Sequence, residues 1–166
     1  MKQRLFAHHS RKYQLNEYFF DSWSSEMAYV IGFWFADGYM RKEKSYRILF
    51  TSADKDILLQ IRKVFSSSHP ISKRKEKKGG SYTWTLSLCS KRLYNQLLCL
   101  GGLRRKSRNM KFPTIPFKYL PDFVRGYFDG DGSVFFVNYA RTKDKQITRE
   151  LRTNFTGTWA ANQTNS

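Results

Sequence analysis

Two aspartates stand at matching points of an internal repeat. Gly32-Phe-Trp-Phe-Ala-Asp37-Gly38 and Gly126-Tyr-Phe-Asp-Gly-Asp131-Gly132 each place a carboxylate one residue before a glycine, and the two stretches lie 94 residues apart. If each apolar stretch is a helix, each carboxylate faces the negative end of the helix dipole, which is unfavourable by roughly 0.3–1 kcal/mol. Small residues supply a geometry: Gly32 and Ala36, and likewise Gly126 and Gly130, are four apart on one helix face, so two backbones can approach closely. Packed side by side, such helices bring both carboxylates to one edge. A divalent cation between them offsets the dipole and like-charge costs, and it polarises a phosphate or activates a water. A single apolar helix ending in Asp-Gly is ordinarily a helix followed by a turn. Twice at one offset, with small residues on matching faces, it points to a site. Asp129-Gly-Asp131-Gly-Ser133 also opens like a calcium loop, but its sixth position is Val134 rather than Gly and its twelfth is Ala140 rather than Glu, which excludes that reading.

The elements around these residues repeat as well. Ser24 or Ser25 caps a helix that runs to Asp37, with Glu26 near its positive end, and Gly38 sits where a left-handed residue usually ends a helix. Tyr39 to Arg41 and Tyr46 to Thr51 read as two strands. Ser52 or Asp54 opens a second helix carrying Ile57, Leu58, Ile61, Val64 and Phe65 at helical spacing. Ile71 to Lys75 and Ser81 to Leu88 form another hairpin, whose second strand alternates Tyr82, Trp84, Leu86 and Leu88 with Ser81, Thr83, Thr85 and Ser87. A third helix, Lys91 to Leu100, ends at Gly101-Gly102, which gives the order αββαββα. Pro113 and Pro116 keep the basic connector from Leu103 to Tyr119 extended. A new helix, Pro121 to Asp131, then leads into strands Ser133 to Tyr139 and Ile147 to Thr156.

Arg47-Ile-Leu-Phe50-Thr51-Ser52 matches Arg152-Thr-Asn-Phe155-Thr156-Gly157 at an offset of 105, so the second hairpin is 11 residues longer than the first. A period near 100 residues is too long for a solenoid and suits a pseudo-two-fold pair of half-domains. The first copy continues beyond Thr51 to Gly102, whereas Trp159 to Ser166 resembles none of that continuation, so the second copy is expected to be truncated after αββ.

Composition names the partner class. Lys and Arg number 30 against 13 Asp and Glu, a net charge of +17, and the excess is uneven: fifteen basic residues and one acid, Glu76, lie between Arg62 and Lys118. A polyanion is the default partner of such a surface. Hydrophobic residues at 40% and aromatics at 17% exclude general disorder. There is no run near the ~20 apolar residues that a membrane span requires, and no apolar stretch follows the basic start as in a secretory signal. Cys89 and Cys99, in apolar surroundings, read as core thiols of a reducing compartment, and with three His and no C-x-x-C spacing a zinc site is not expected. The chain is thus expected in a bacterial cytoplasm or an organelle, not secreted.

Val30-Ile-Gly-Phe-Trp-Phe-Ala-Asp-Gly38 and Val124-Arg-Gly-Tyr-Phe-Asp-Gly-Asp-Gly132 resemble the two motifs of the LAGLIDADG homing endonucleases, over residues 13 to 157. The second copy keeps both acids of the motif, Asp129 and Asp131; the first has Phe35 at the earlier position and keeps Asp37 at the later one. The resemblance implies an α+β fold of an αββαββα half-domain followed by an incomplete αββ half, with sheets forming a saddle in the DNA major groove. It implies a single-chain, site-specific endonuclease that makes a double-strand cut leaving short 3′ overhangs, with Mg²⁺ or another divalent cation as cofactor. Asp37 and Asp131 then carry over as the metal-binding catalytic acids. A basic residue after the third helix would assist the attacking water, and Lys106 in Leu103-Arg-Arg-Lys106-Ser107 is the candidate, with plain phosphate contact an equal alternative.

The polar strand faces are the expected readers of double-stranded DNA, since Arg and Lys pair with guanine and Asn and Gln with adenine. The candidates are Arg41, Arg47, Lys73, Lys75, Thr83 and Thr85 in the first half and Arg141, Arg149, Arg152 and Asn154 in the second. For each, a solvated face or a phosphate contact is the plainer alternative. The run Lys73 to Lys78 at a hairpin tip reads as a phosphate grip, and Phe33, Trp34, Tyr82 and Trp84 read as core rather than base-stacking platforms. The expected organisation is a basic aromatic extension (1–23), a first half-domain (24–102), a connector (103–119), a partial second half-domain (120–158) and a polar tail (159–166). No membrane and no small-molecule cofactor are expected. A two-half form should be monomeric, while an exposed edge after Thr156 invites self-association. The competing reading is a nucleic-acid-binding module without catalysis, as in intron maturases or DNA-binding regulators of this fold. An intein is not expected, since no Cys or Ser nucleophile opens this sequence and no His-Asn closes it.

Overall fold

Helix α1 (Ser25–Asp37) begins where the Ser24 hydroxyl accepts the Met27 N–H at 3.1 Å. This satisfies one of the donors that every helix start leaves open. Strands β1 (Tyr39–Lys42) and β2 (Tyr46–Ser52), helix α2 (Lys55–Val64), strands β3 (Ile71–Lys75) and β4 (Tyr82–Cys89) and helix α3 (Lys91–Cys99) follow. Asp54 caps α2 through Asp56 N and Ser90 caps α3 through Leu93 N. A 3₁₀ turn, Phe117–Tyr119, leads into α4 (Leu120–Asp131), β5 (Gly132–Ala140) and β6 (Ile147–Phe155). The computed structural model describes residues 12–75, 81–102, 113–140 and 147–155.

The four strands of the first half form one antiparallel sheet in the order β1-β2-β4-β3. Its register sorts the side chains by face. Ile48 opposes Leu88 and Phe50 opposes Leu86, and all four are buried beneath α1, α2 and α3. Arg47, Leu49 and Thr51 alternate with them and point to the other, open face. Helices α2 and α3 are amphipathic and bury Leu58 and Ile61, and Leu93, Tyr94 and Leu97, respectively. Helix α1 is buried almost all round, because the sheet and its helices cover one side and α4 covers the other. The described part of the N-terminal stretch straps the same core: Asn16 N–H donates to Phe65 O at 2.8 Å and the Phe19 ring packs 4.2 Å from that of Phe65.

In the second half β5 and β6 pair as a two-stranded sheet. The first hairpin's register is reproduced there: Tyr39↔Leu49 and Arg41↔Arg47 correspond to Ser133↔Asn154 and Phe135↔Arg152 at the offsets of 94 and 105. What differs is cover. Met40 is buried, whereas its counterpart Val134 is exposed, as are Phe136 and Leu151 on the same face. The α+β class and the pseudo-two-fold arrangement therefore stand. No helix among the described residues is long and apolar enough to cross a membrane.

Three expectations need correcting. Gly38 is not left-handed; its φ of −76° and ψ of 164° are extended. The glycine is required for space, since a Cβ there would collide with the Trp34 ring stacked over it. Cys89 and Cys99 are exposed thiols rather than core ones. Cys89 ends β4 opposite Arg47 on the open face, and Cys99 closes α3 beyond its buried Leu97. Finally, Tyr82 and Trp84 share the helix-side face with Leu86 but lie past the helices, so Tyr82 is 46% exposed and Trp84 is half-buried.

Candidate metal and nucleic-acid site

The site is built where α1 and α4 touch. A Cβ on Gly32 would collide with Phe123 O and come within 2.8 Å of Tyr127 N; on Gly126 it would collide with Tyr29 O. These are one contact made twice, because Gly126 and Phe123 stand 94 residues after Gly32 and Tyr29. On Gly130 a Cβ would lie 2.5 Å from that of Ala36. The helices therefore run in the same direction with backbones in contact down to the residue before each acid. Asp37 and Asp131 close them side by side, both exposed. Each helix hands over to its strand by the same device: Gly132, extended like Gly38, lies under the Phe128 ring as Gly38 lies under Trp34.

The helix pair is not symmetric in chemistry. The Tyr29 hydroxyl donates to Asp129 Oδ2 at 2.8 Å. The positions related to these by the repeat are Phe123 and Phe35, whose rings lie 6.2 Å apart. Arg125 stacks its guanidinium 4.9 Å from the Tyr29 ring and pairs with Asp122 at 3.3 Å. Burial, then the hydrogen bond and charge of Asp129, push the Tyr29 phenol well above its ordinary value. The Tyr127 phenol is also raised, first by burial and then by the negative charge of Asp131. A cleft of about 240 Å³ opens beside Tyr29 and is lined by Glu26, Gln60, Arg125 and Asp129.

Among the described residues no three His, Cys, Asp or Glu side chains converge to hold a metal by themselves. Asp37 and Asp131 present two carboxylates at this junction. This suits a hard cation such as Mg²⁺, which takes one or two carboxylates and fills its remaining positions with water and substrate phosphate oxygens. It does not suit a closed all-protein site.

The predicted DNA-facing residues divide by strand register. Arg41 pairs with Arg47, and Thr85 and Thr83 face Ser72 and Arg74, so all of these lie on the open face of the first sheet. Lys73 and Lys75 do not. They oppose Trp84 and Tyr82 on the helix-side face, where Lys73 Nζ lies 3.8 Å from the Tyr82 ring centre. In the second sheet Arg152 and Asn154 share the face of Phe135 and Ser133, while Arg149 points the other way and stacks 3.8 Å from the Phe136 ring. Arg152 also pairs with Glu150 at 3.3 Å. Lys106 and Arg141 lie outside the described residues.

Reading by residue type passed over three participants. Arg74 takes the open-face place first given to its neighbours, and the two-residue period of β3 against β4 is the signal that finds it. The 94-residue offset pairs Tyr29 with Phe123, so the repeat exchanges a phenyl ring for a phenol there. Thr51, next to the last residue of β2 and on the open face, has its hydroxyl oxygen buried and without a hydrogen-bond partner among the described residues. No spacing in the sequence announces that.

Comparison with known proteins finds three resemblances. Residues 24–98 match the family described as LAGLIDADG-like domain. An uncharacterized protein of Methanocaldococcus jannaschii is 31% identical over 116 residues, covering 67% of this chain and 40% of the relative. The structure of the homing endonuclease I-WcaI bound to its DNA recognition sequence aligns with a TM-score of 0.45 and 18% identity, over 69% of this chain and 55% of that one. This chain thus spans 40% of the curated relative's length and 55% of that solved chain.

Proposed function

We propose that this chain, a member of the LAGLIDADG family through its residues 24–98, binds double-stranded DNA on the open faces of its sheets and hydrolyses it at the junction of its two helices. One observation carries the reading. Asp37 and Asp131 end two parallel helices held backbone to backbone by Gly32, Gly126 and Gly130. Each carboxylate sits at the negative end of its helix dipole, where a bound cation is favoured.

Asp37 and Asp131 would hold Mg²⁺ or a similar divalent ion. Bound there, the ion would offset charge developing on a phosphate and lower the pKa of a water. The chain's own part is positional. The glycine contacts fix the separation of the helix ends, and the rings of Trp34 and Phe128 over Gly38 and Gly132 fix the direction in which each strand leaves its acid. Arg41, Arg47 and Arg74, with Thr83 and Thr85, present donors along the open face to base edges and phosphates. Arg152 and Asn154 do so in the second half. Lys106 is assigned the water-assisting role on the resemblance alone.

The test is plasmid-library cleavage by the full chain with Mg²⁺. Asp37→Asn and Asp131→Asn should each abolish cutting while duplex binding persists. Cutting at the full rate by Asp37→Asn would sink the assignment. Salt-sensitive binding with no cutting by the parent chain would favour the binding module instead.

A further inference from the structure

We propose that the helix-side rim of the first sheet, formed by Lys55, Lys73, Lys75, Tyr82 and Trp84, is a second nucleic-acid surface, one that takes an unpaired polynucleotide strand. The register puts these groups together. Lys73 opposes Trp84 and Lys75 opposes Tyr82, on the face where Leu86 and Leu88 are buried and Trp84 is half-buried against the core. Beyond them the face is open: Tyr82 is 46% exposed, and Lys73 and Lys75 are exposed. Lys55, the first residue of α2, brings its Nζ to 4.8 Å from the Trp84 ring, and Lys73 Nζ lies 5.2 Å from that ring and 3.8 Å from Tyr82. The exposed Tyr82 ring, with the half-buried Trp84 ring beside it and three ammonium groups around them, supplies the elements of single-strand recognition, in which bases stack on aromatic faces and cations follow the backbone.

The same lysines could merely cover rim aromatics, and the opposite end of the sheet shows what that looks like. There Lys42 and Lys91 lie over Tyr46 at 5.0 and 5.8 Å, but the Tyr46 ring packs edge-on to Tyr94 at 5.2 Å and is half-buried, so no ring face is left for a base. Tyr82 has no such ring partner among the described residues. An exposed cation–π contact is also weaker than base–aromatic stacking, so a phosphate that draws Lys73 off the ring exchanges a small interaction for a larger one. A duplex cannot use this surface in that way, because its bases are already stacked on one another. The residues proposed above to face duplex DNA lie on the other side of the same sheet. One half-domain can therefore hold a duplex and a single strand at once, and the rim's binding does not depend on whether the chain cleaves.

The experiment uses the full chain and fluorescein-labelled oligo(dT) and oligo(rU) of about 12 nucleotides, within the site size of one small binding fold, alongside a labelled duplex. Anisotropy titrations are run at two salt concentrations. Tyr82→Ala should weaken single-strand binding about tenfold, the scale of one lost base stack, and Tyr82→Phe, which keeps the ring, should restore it. Lys73→Ala with Lys75→Ala should reduce the salt slope for the single strand. Arg47→Ala, on the other face, should lower duplex affinity and leave the single strand alone. Tyr82-dependent binding of either oligonucleotide supports the proposal, and the two arms tell which sugar the surface accepts. Absence of single-strand binding, indifference to Tyr82→Ala, or equal loss of duplex and single-strand affinity would each overturn it.

Discussion

The Tyr29 hydroxyl and the Asp129 carboxylate, 2.8 Å apart, form the polar cross-link between helices whose symmetry-related positions are filled by Phe35 and Phe123. The repeat has thus changed both members of one contact together. Where the motif keeps its earlier acid, a phenol on the other helix meets it, and where the acid is replaced by phenylalanine, a phenyl ring faces it. Tyr29→Phe should cost about 1 kcal/mol, the net worth of a hydrogen bond that leaves its acceptor partly solvated. A double-mutant cycle of Tyr29→Phe with Asp129→Ala, read by urea unfolding, should return a coupling of about 0.5–1.5 kcal/mol. Additive losses would show that the two residues do not act as a pair.

The raised Tyr29 phenol sets an alkaline limit on this cross-link. Its folded-state pKa lies above the unfolded value of about 10, so the folded state binds the proton more tightly. The stabilisation is complete below pH 10 and is lost as the pH rises beyond it. Thermal melts between pH 8 and 11 should therefore show a fall in the wild-type midpoint above about pH 10 that Tyr29→Phe makes shallower. Equal slopes for the two proteins would contradict the assignment. Tyr127, raised by burial and by Asp131, adds a smaller dependence of the same sign.

Much of this was legible in the residues because it rests on local rules. Helix starts at Ser24, Asp54 and Ser90 follow from the need to satisfy open N–H groups, and the helix-pair seam follows from glycines four apart. What was not legible depends on where cover stops. The alternation of β4 correctly groups Tyr82 and Trp84 with Leu86, but no local pattern states that the helices end before the strand does. The sidedness of Lys73, Lys75 and Arg149 depends on pairing register, which composition cannot supply. Shifting by one residue exchanges the faces, and it was Arg74 that the register placed on the open side. Gly38 illustrates a third case. A left-handed residue is the ordinary reason for glycine after a helix, yet here the cause is an aromatic ring from the preceding turn and not backbone handedness.

The glycines of the seam should be the least replaceable residues of the pair. At Gly32 and Gly126 the obstacle to a methyl group is a backbone carbonyl of the other helix, which cannot swing aside as a side chain can. Gly32→Ala and Gly126→Ala should each destabilise by about 2–3 kcal/mol, the upper range for overpacking. Gly130→Ala, which meets the Ala36 methyl at 2.5 Å, should cost less in stability. Because it parts the helices beside both acids, it should still depress cleavage strongly. Denaturant midpoints together with cleavage rates separate these outcomes, and a fully active Gly130→Ala would show that the acids tolerate a wider seam than proposed.

The two acids should behave as residues kept for function at a cost to the fold. Asp131 places a negative charge at a helix C-terminus, so without a divalent ion Asp131→Asn should raise stability by about 0.5 kcal/mol. Magnesium should reverse the order. An ion held by the native pair and not by the unfolded chain stabilises by about 1.4 kcal/mol at ten times its dissociation constant. The wild-type melting temperature should therefore climb with added Mg²⁺ while that of either Asn variant stays level. Thermal melts with EDTA and with graded Mg²⁺ test both halves of the statement without any substrate. Parallel rises in the wild type and in both Asn variants would place the cation elsewhere on the chain, and an unchanged wild type would mean that the carboxylate pair needs DNA phosphates to complete its site.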